Sequence, residues 1–178
     1  LWLVRDWQDG ITYDLLLHQR RFRADEVLLL LRQVLPVLAL WHGRGLVHGD
    51  LNARHLLRRS SDGLPVLLEG GGVQREGATP TDVPWRDLHD LGVTALVLLS
   101  GTPGEAGSWP NGLELEARFR RVLERLLSEV PEHRFDAAAE VLQALESVVL
   151  PASEPESGAM ARTSRSLARV QGAEGRLW

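Results

Sequence analysis

The stretch Leu46-Val47-His48-Gly49-Asp50-Leu51-Asn52-Ala53-Arg54-His55-Leu56-Leu57 decides how this chain is read. Two histidines, a carboxylate and an amide stand between an apolar entry, Leu46-Val47, and an apolar exit, Leu56-Leu57. On ligand type alone His48, Asp50 and His55 could hold a zinc ion. The His48-Gly49-Asp50 run in this setting also reads as a functional His-x-Asp, and the competing reading is that His48 and Asp50 only hold the loop together.

Working outward, Val27, Leu28, Leu31, Val34, Leu35, Leu38 and Trp41 recur at helical spacing from about Asp25 to Trp41. Pro36 deletes a backbone donor inside this helix and is expected to kink it, and Gly43 and Gly45 end it. Further upstream, residues 1–5 read as a short buried strand, Gln8-Asp9-Gly10 as a turn and Tyr13 to Gln19 as a short helix. Downstream, Leu56-Leu57 and Pro65 to Leu68 flank Ser60-Ser61-Asp62-Gly63 as a small hairpin. Residues 70–85 lack periodicity and read as loop. Leu88 to Leu99 is apolar on nearly every face, which predicts a helix buried all round, stopped by Gly101 and Pro103. Leu115, Phe119, Val122, Leu123, Leu126, Leu127 and Val130 form an amphipathic stripe, and Ala137 to Val149 a last helix with Asp136 as N-cap. Residues 151–178 lose the apolar pattern and read as a disordered Arg/Ser/Ala-rich tail or linker.

Composition narrows the chemistry. The chain has 178 residues, 44% hydrophobic and 25% charged, which is the profile of one soluble globular domain. All 20 basic residues are arginine, so a Walker A lysine, a Schiff-base lysine and a Ser-Lys pair are excluded. The absence of cysteine excludes disulfides, thiolate catalysis and cysteine-held metals. A net charge of -4 gives no reason to expect nucleic acid as a partner. No apolar run reaches the roughly 18 residues of a membrane span. A start at Leu1-Trp2-Leu3-Val4, as if already inside a strand, reads as a piece of a longer protein.

The quoted stretch resembles the catalytic loop of protein kinases, His-Arg-Asp-Leu with Asn further on, and is also similar to the His-Gly-Asp-Leu form of aminoglycoside and choline kinases. Three more segments fall in the family's order. Leu67-Leu68-Glu69-Gly70-Gly71 stands at the Asp-Phe-Gly metal motif, and Asp87 to Pro103 resembles the buried central helix of Ser/Thr kinases. Leu126 to Phe135, Leu-Leu-Ser-Glu-Val-Pro-Glu-His-Arg-Phe, resembles the segment ending in the family's structural arginine. The last two favour a protein-kinase C-lobe over the small-molecule kinases, and the overall style, with Leu64-Pro65-Val66 before the metal motif, is similar to bacterial, in particular cyanobacterial, Ser/Thr kinases. The resemblance implies a mainly α (α+β) fold over residues 1–150, a kinase-like C-terminal lobe with a short hairpin and a hinge strand, the N-lobe being absent.

Residue by residue, the resemblance makes Asp50, with His48, the catalytic pair, His55 and Glu69 the metal positions, and Asp6 and Gln8, in a hinge at about 1–10, the adenine contacts. Asp87 and Arg134 become structural residues. ATP and Mg are the family's cofactors, but the metal positions depart from it. His55 replaces an asparagine, and imidazole is a poor magnesium ligand. Glu69 replaces an aspartate and displaces its carboxylate by roughly 1 Å, an error on the order of 10²-fold in a positioned reaction. Gly49 stands for the loop arginine, Gly70 for an aromatic and Asn52 for a lysine; Gly70 and Gly71 also read simply as turn formers. Between Gly71 and Asp87 there are only 15 residues and no Ala-Pro-Glu, so Arg134 loses its family partner. It must find another carboxylate, Glu76 or Asp82 being nearest, or lie exposed. Asp87 either accepts catalytic-loop amides or favours the helix N-terminus.

The expectation is a pseudokinase that signals by binding a protein partner, with no nucleic acid and with ATP-Mg binding doubtful. The alternatives are an active or weakly active kinase when joined to an N-lobe, and a helical scaffold unrelated to nucleotides. Location is expected to be cytoplasmic, with Arg162, Arg165, Arg169 and Arg176 becoming juxtamembrane only if the natural chain runs on into an apolar segment.

Overall fold

The computed structural model describes residues 7–68, 83–101 and 109–150. The elements run β1 (Gly10–Thr12), α1 (Tyr13–Leu17), α2 (Ala24–His42), β2 (Leu56–Arg59), β3 (Pro65–Leu67), α3 (Val83–Ser100), α4 (Ala117–Leu126), a 3-10 turn at Pro131–His133 and α5 (Ala138–Glu146). The expected strand over residues 1–5 and the tail 151–178 lie outside the described residues.

Helix α2 forms where the apolar spacing predicts, and its inward face, Val27, Leu31, Leu35 and Leu38, is fully buried. It continues as one helix through Pro36, which sits on the exposed side, where water can take the carbonyl freed by the missing donor. Glu26 accepts the Arg23 amide at 2.9 Å and pairs with Arg20, satisfying one of the orphan donors of the first turn. At the far end Gly45 takes φ +71°, a conformation that favours glycine. Helices α3 and α5 pack on α2, and α4 closes on both α3 and α5. Phe119 and Leu123 of α4, Leu91 and Leu98 of α3 and Leu145 of α5 complete one core.

The three strands make one antiparallel sheet in the order β1-β2-β3, with Ile11 opposite Arg58 and Leu57 opposite Val66. Gly10 therefore opens a strand and does not close a turn. The reason is steric: a Cβ there would run into the Arg58 carbonyl and lie 2.8 Å from Leu57 Cγ. The hairpin turn is held by Asp62, which pairs with Arg59 and accepts the Leu64 amide at 3.1 Å. Helix α3 starts at Val83, so Pro84 and Trp85, read as loop, belong to its first turn, where a proline removes no helical hydrogen bond. Asp136 is not the cap of α5; Ala137 occupies that position without a side-chain bond, and the helix ends at Glu146. No helix among the described residues is long and apolar enough to cross a membrane.

Candidate functional site

The loop between α2 and β2 is pinned from below by one carboxylate. Asp87, in the second turn of α3, is 1% exposed at its side chain and takes three donors. Its Oδ2 accepts the His48 amide at 2.8 Å and His42 Nε2 at 2.9 Å, and its Oδ1 accepts the Gly49 amide at 2.8 Å. Burial pushes this carboxyl up, yet the His42 bond and the amides of Gly49 and His48 hold it below the ordinary carboxylate value. His42, the last residue of α2, is a site residue that the sequence reading passed over.

His48 is fully buried. Its Nε2 donates to the Leu68 carbonyl at 2.9 Å and its Nδ1 accepts the Asp50 amide at 3.4 Å, which fixes the Nε2–H tautomer. The ring also stacks on Trp41, 6.0 Å between centroids. Both nitrogens are thus engaged within the protein, and the described residues contain no group of three or more His, Asp or Glu able to hold a metal.

Asp50 projects from the loop with its side chain 61% exposed, and each of its oxygens has a neighbour within the loop. Asn52 Nδ2 donates to Oδ1 at 2.8 Å, while Asn52 Oδ1 accepts the Arg54 amide at 3.0 Å, which sets the orientation of the amide. His55 Nδ1 donates to the Asp50 carbonyl at 2.7 Å and lies 3.3 Å from Oδ2. Only Nε2 of His55 is left for any ligand. An imidazole nitrogen in place of a hard oxygen does not fit magnesium. Glu69, the other expected metal position, and Asp6 lie outside the described residues. Gln8 directs Oε1 toward Arg59 Nη1 at 3.5 Å, against the hairpin.

Behind the loop, Thr94 Oγ1 donates to the Asp90 carbonyl at 2.8 Å and lies 3.4 Å from the Leu51 carbonyl. Burial pushes the Asp90 carboxyl above its ordinary value; His89, with Nδ1 at 3.6 Å, pulls it down, and Asp87 and Asp50 push it up. At the base of the helices, Arg134 is half-buried. Its Nε donates to the Ser128 carbonyl at 3.2 Å, its Nη2 donates to the Glu129 carbonyl, and its guanidinium lies 3.6 Å from the centre of the Trp85 ring. Glu76 and Asp82, its expected partners, lie outside the described residues.

No protein-family model matches the chain. Serine/threonine-protein kinase-like protein E of Synechocystis is 37% identical over 139 residues, which is 74% of this chain and 22% of that protein. Serine/threonine-protein kinase PknA of Nostoc is 27% identical, over 88% of this chain and 35% of its own length. Among solved structures, a variant of the PknI kinase domain of Mycobacterium tuberculosis matches with a TM-score of 0.64 and 27% identity, covering 79% of this chain and 63% of that domain. The chain therefore spans about a fifth to a third of these full-length relatives.

Proposed function

The chain is a Ser/Thr protein-kinase-like domain with the helical C-lobe fold, and we propose that it works as a pseudokinase, signalling by binding a protein partner. The observation that carries this reading is the state of Asp50. Phosphoryl transfer needs donor phosphates, metal ions and the acceptor hydroxyl held in line, so the loop must offer free oxygens to metal and acceptor. Here Asn52 donates to one oxygen of Asp50, His55 sits against the other, and His55 Nδ1 is spent on closing the loop, so the carboxylate is turned toward contacts within its own loop. The surrounding loop is nevertheless well ordered by Asp87, which suits a shape recognised by another protein. In this reading the domain is cytoplasmic and its partner is a protein.

The test is a thermal melt with millimolar ATP, with and without magnesium. A ligand at 100 times its Kd stabilises by about 2.7 kcal/mol. For a chain of this size that raises Tm by about 5 to 11 °C. The expected result is no shift of that size in either condition. A magnesium-dependent shift would overturn the expectation that ATP-Mg is not bound, and peptide phosphorylation lost in Asp50→Asn would establish the active-kinase alternative instead.

A further inference from the structure

We propose that Trp85 is the partner of Arg134, and that this ring-and-cation clasp positions the start of α3, and with it the Asp87 anchor of the Asp50 loop. The argument begins with the needs of a half-buried guanidinium, which carries five donors and a charge that must be covered or hydrated. Two donors of Arg134 are met by the Ser128 and Glu129 carbonyls, at the turn before Pro131. One face is covered by Trp85 at 3.6 Å, well inside the range at which the ring's negative face attracts a cation.

The indole is committed to that face. Its Nε1 is buried and has no hydrogen-bond partner among the described residues, so the Trp85 ring is placed by packing and by Arg134, with His89 tilted against it at 5.4 Å. The arginine is equally constrained. Arg125 donates to the Arg134 carbonyl at 3.2 and 2.9 Å while lying over Phe135, which fixes the backbone from which the guanidinium reaches. Trp85 is two residues before Asp87 in the same helix, and Asp87 receives the His48 and Gly49 amides. A contact at the base of the lobe is thereby joined to the loop through two residues of helix backbone. This inference is independent of whether the domain binds ATP.

The test is a double-mutant cycle on Trp85→Leu and Arg134→Ala in this chain, read by urea unfolding, with native-state amide exchange at His48 and Gly49 as the second readout. A stacked cation is worth about 2- to 30-fold in an equilibrium constant. Trp85→Leu should lower the folding constant by several-fold more in the native background than in Arg134→Ala. It should also speed exchange at Gly49 more than at Leu145 in α5, a difference that loss of global stability alone would not produce. If Trp85→Leu fails to fold, Trp85→Met, which keeps more of the apolar volume without a ring, carries the same cycle. Additive effects, or coupling of Arg134 to Glu76→Gln or Asp82→Asn in place of Trp85, would overturn the proposal, as would equal acceleration at Gly49 and Leu145.

Discussion

Asp87→Asn should be among the most damaging conservative changes in this chain. The carboxylate accepts three donors, from His42, His48 and Gly49, all within 2.9 Å. An asparagine is the same size but is neutral, offers one acceptor oxygen and turns an NH2 toward a backbone amide that cannot receive it. With its oxygen where Oδ2 stands it can still serve His42 and His48 without the charge, and the Gly49 amide is left facing the NH2. Hydrogen bonds to charged groups contribute about 1.5 to 3 kcal/mol and neutral ones about 0.5 to 1.5 kcal/mol, so one bond lost and two made neutral give a loss of about 3 to 6 kcal/mol at pH 7. Against a total stability of about 5 to 15 kcal/mol, that is a large fraction. With a urea m-value of about 2 kcal/mol/M, the midpoint should fall by about 1.5 to 3 M. Acid adds a second arm. Asp87 is held below the ordinary value of 3.8, so its contribution is complete above that pH and is lost as pH falls through the lowered folded value. The gap between the native protein and Asp87→Asn should therefore be constant from pH 7 to about 5 and narrow below about 4. A loss under about 1 kcal/mol at pH 7, or a gap unchanged down to pH 3, would refute the assignment of Asp87 as the loop's anchor.

Gly49 takes φ +75° with nothing within 4 Å of a built Cβ, so Gly49→Ala should cost only backbone strain, about 1 to 2 kcal/mol by urea unfolding, with no repacking of the core. In the hairpin, the Arg59 hydrogen bond and the Leu64 amide hold the Asp62 carboxyl down to about 2; carbon NMR titration should find it there and should find it returned toward the ordinary value in Arg59→Ala.

The helices were legible because their stabilisation is periodic. The positions from Val27 to Leu38 repeat where an α-helix must bury a face, and Leu88 to Leu99 is apolar all round because α3 is packed on several sides. β1 was not legible for the opposite reason. Three residues carry no period, and Gly10 reads as a turn former when it is considered alone. Its role as a gap for the Arg58 carbonyl exists only once β2 lies beside it. Trp85 was lost in the same way: a first turn beginning Val83-Pro84 has too few residues to show a stripe, and the aromatic's partner, Arg134, is 49 positions away.

The site divides along the same line. The resemblance to the kinase catalytic loop and central helix pointed to Asp50, His48, His55 and Asp87. Orientation was not announced. Whether His55 offers a nitrogen outward or closes the loop depends on the Asp50 carbonyl standing 2.7 Å from Nδ1, a contact between residues five apart that only the folded loop creates. His42 shows how far this goes. A histidine just before Gly43 at the end of a helix reads as an ordinary favourable charge near the carbonyl end. In the fold it is 8% exposed at its side chain and shares the Asp87 oxygen that also takes the His48 amide. The substitutions at Asn52 and His55 therefore act together. Each turns a polar group back toward Asp50, so replacing His55 alone would leave Asn52 Nδ2 still on Oδ1, and the carboxylate would stay partly occupied.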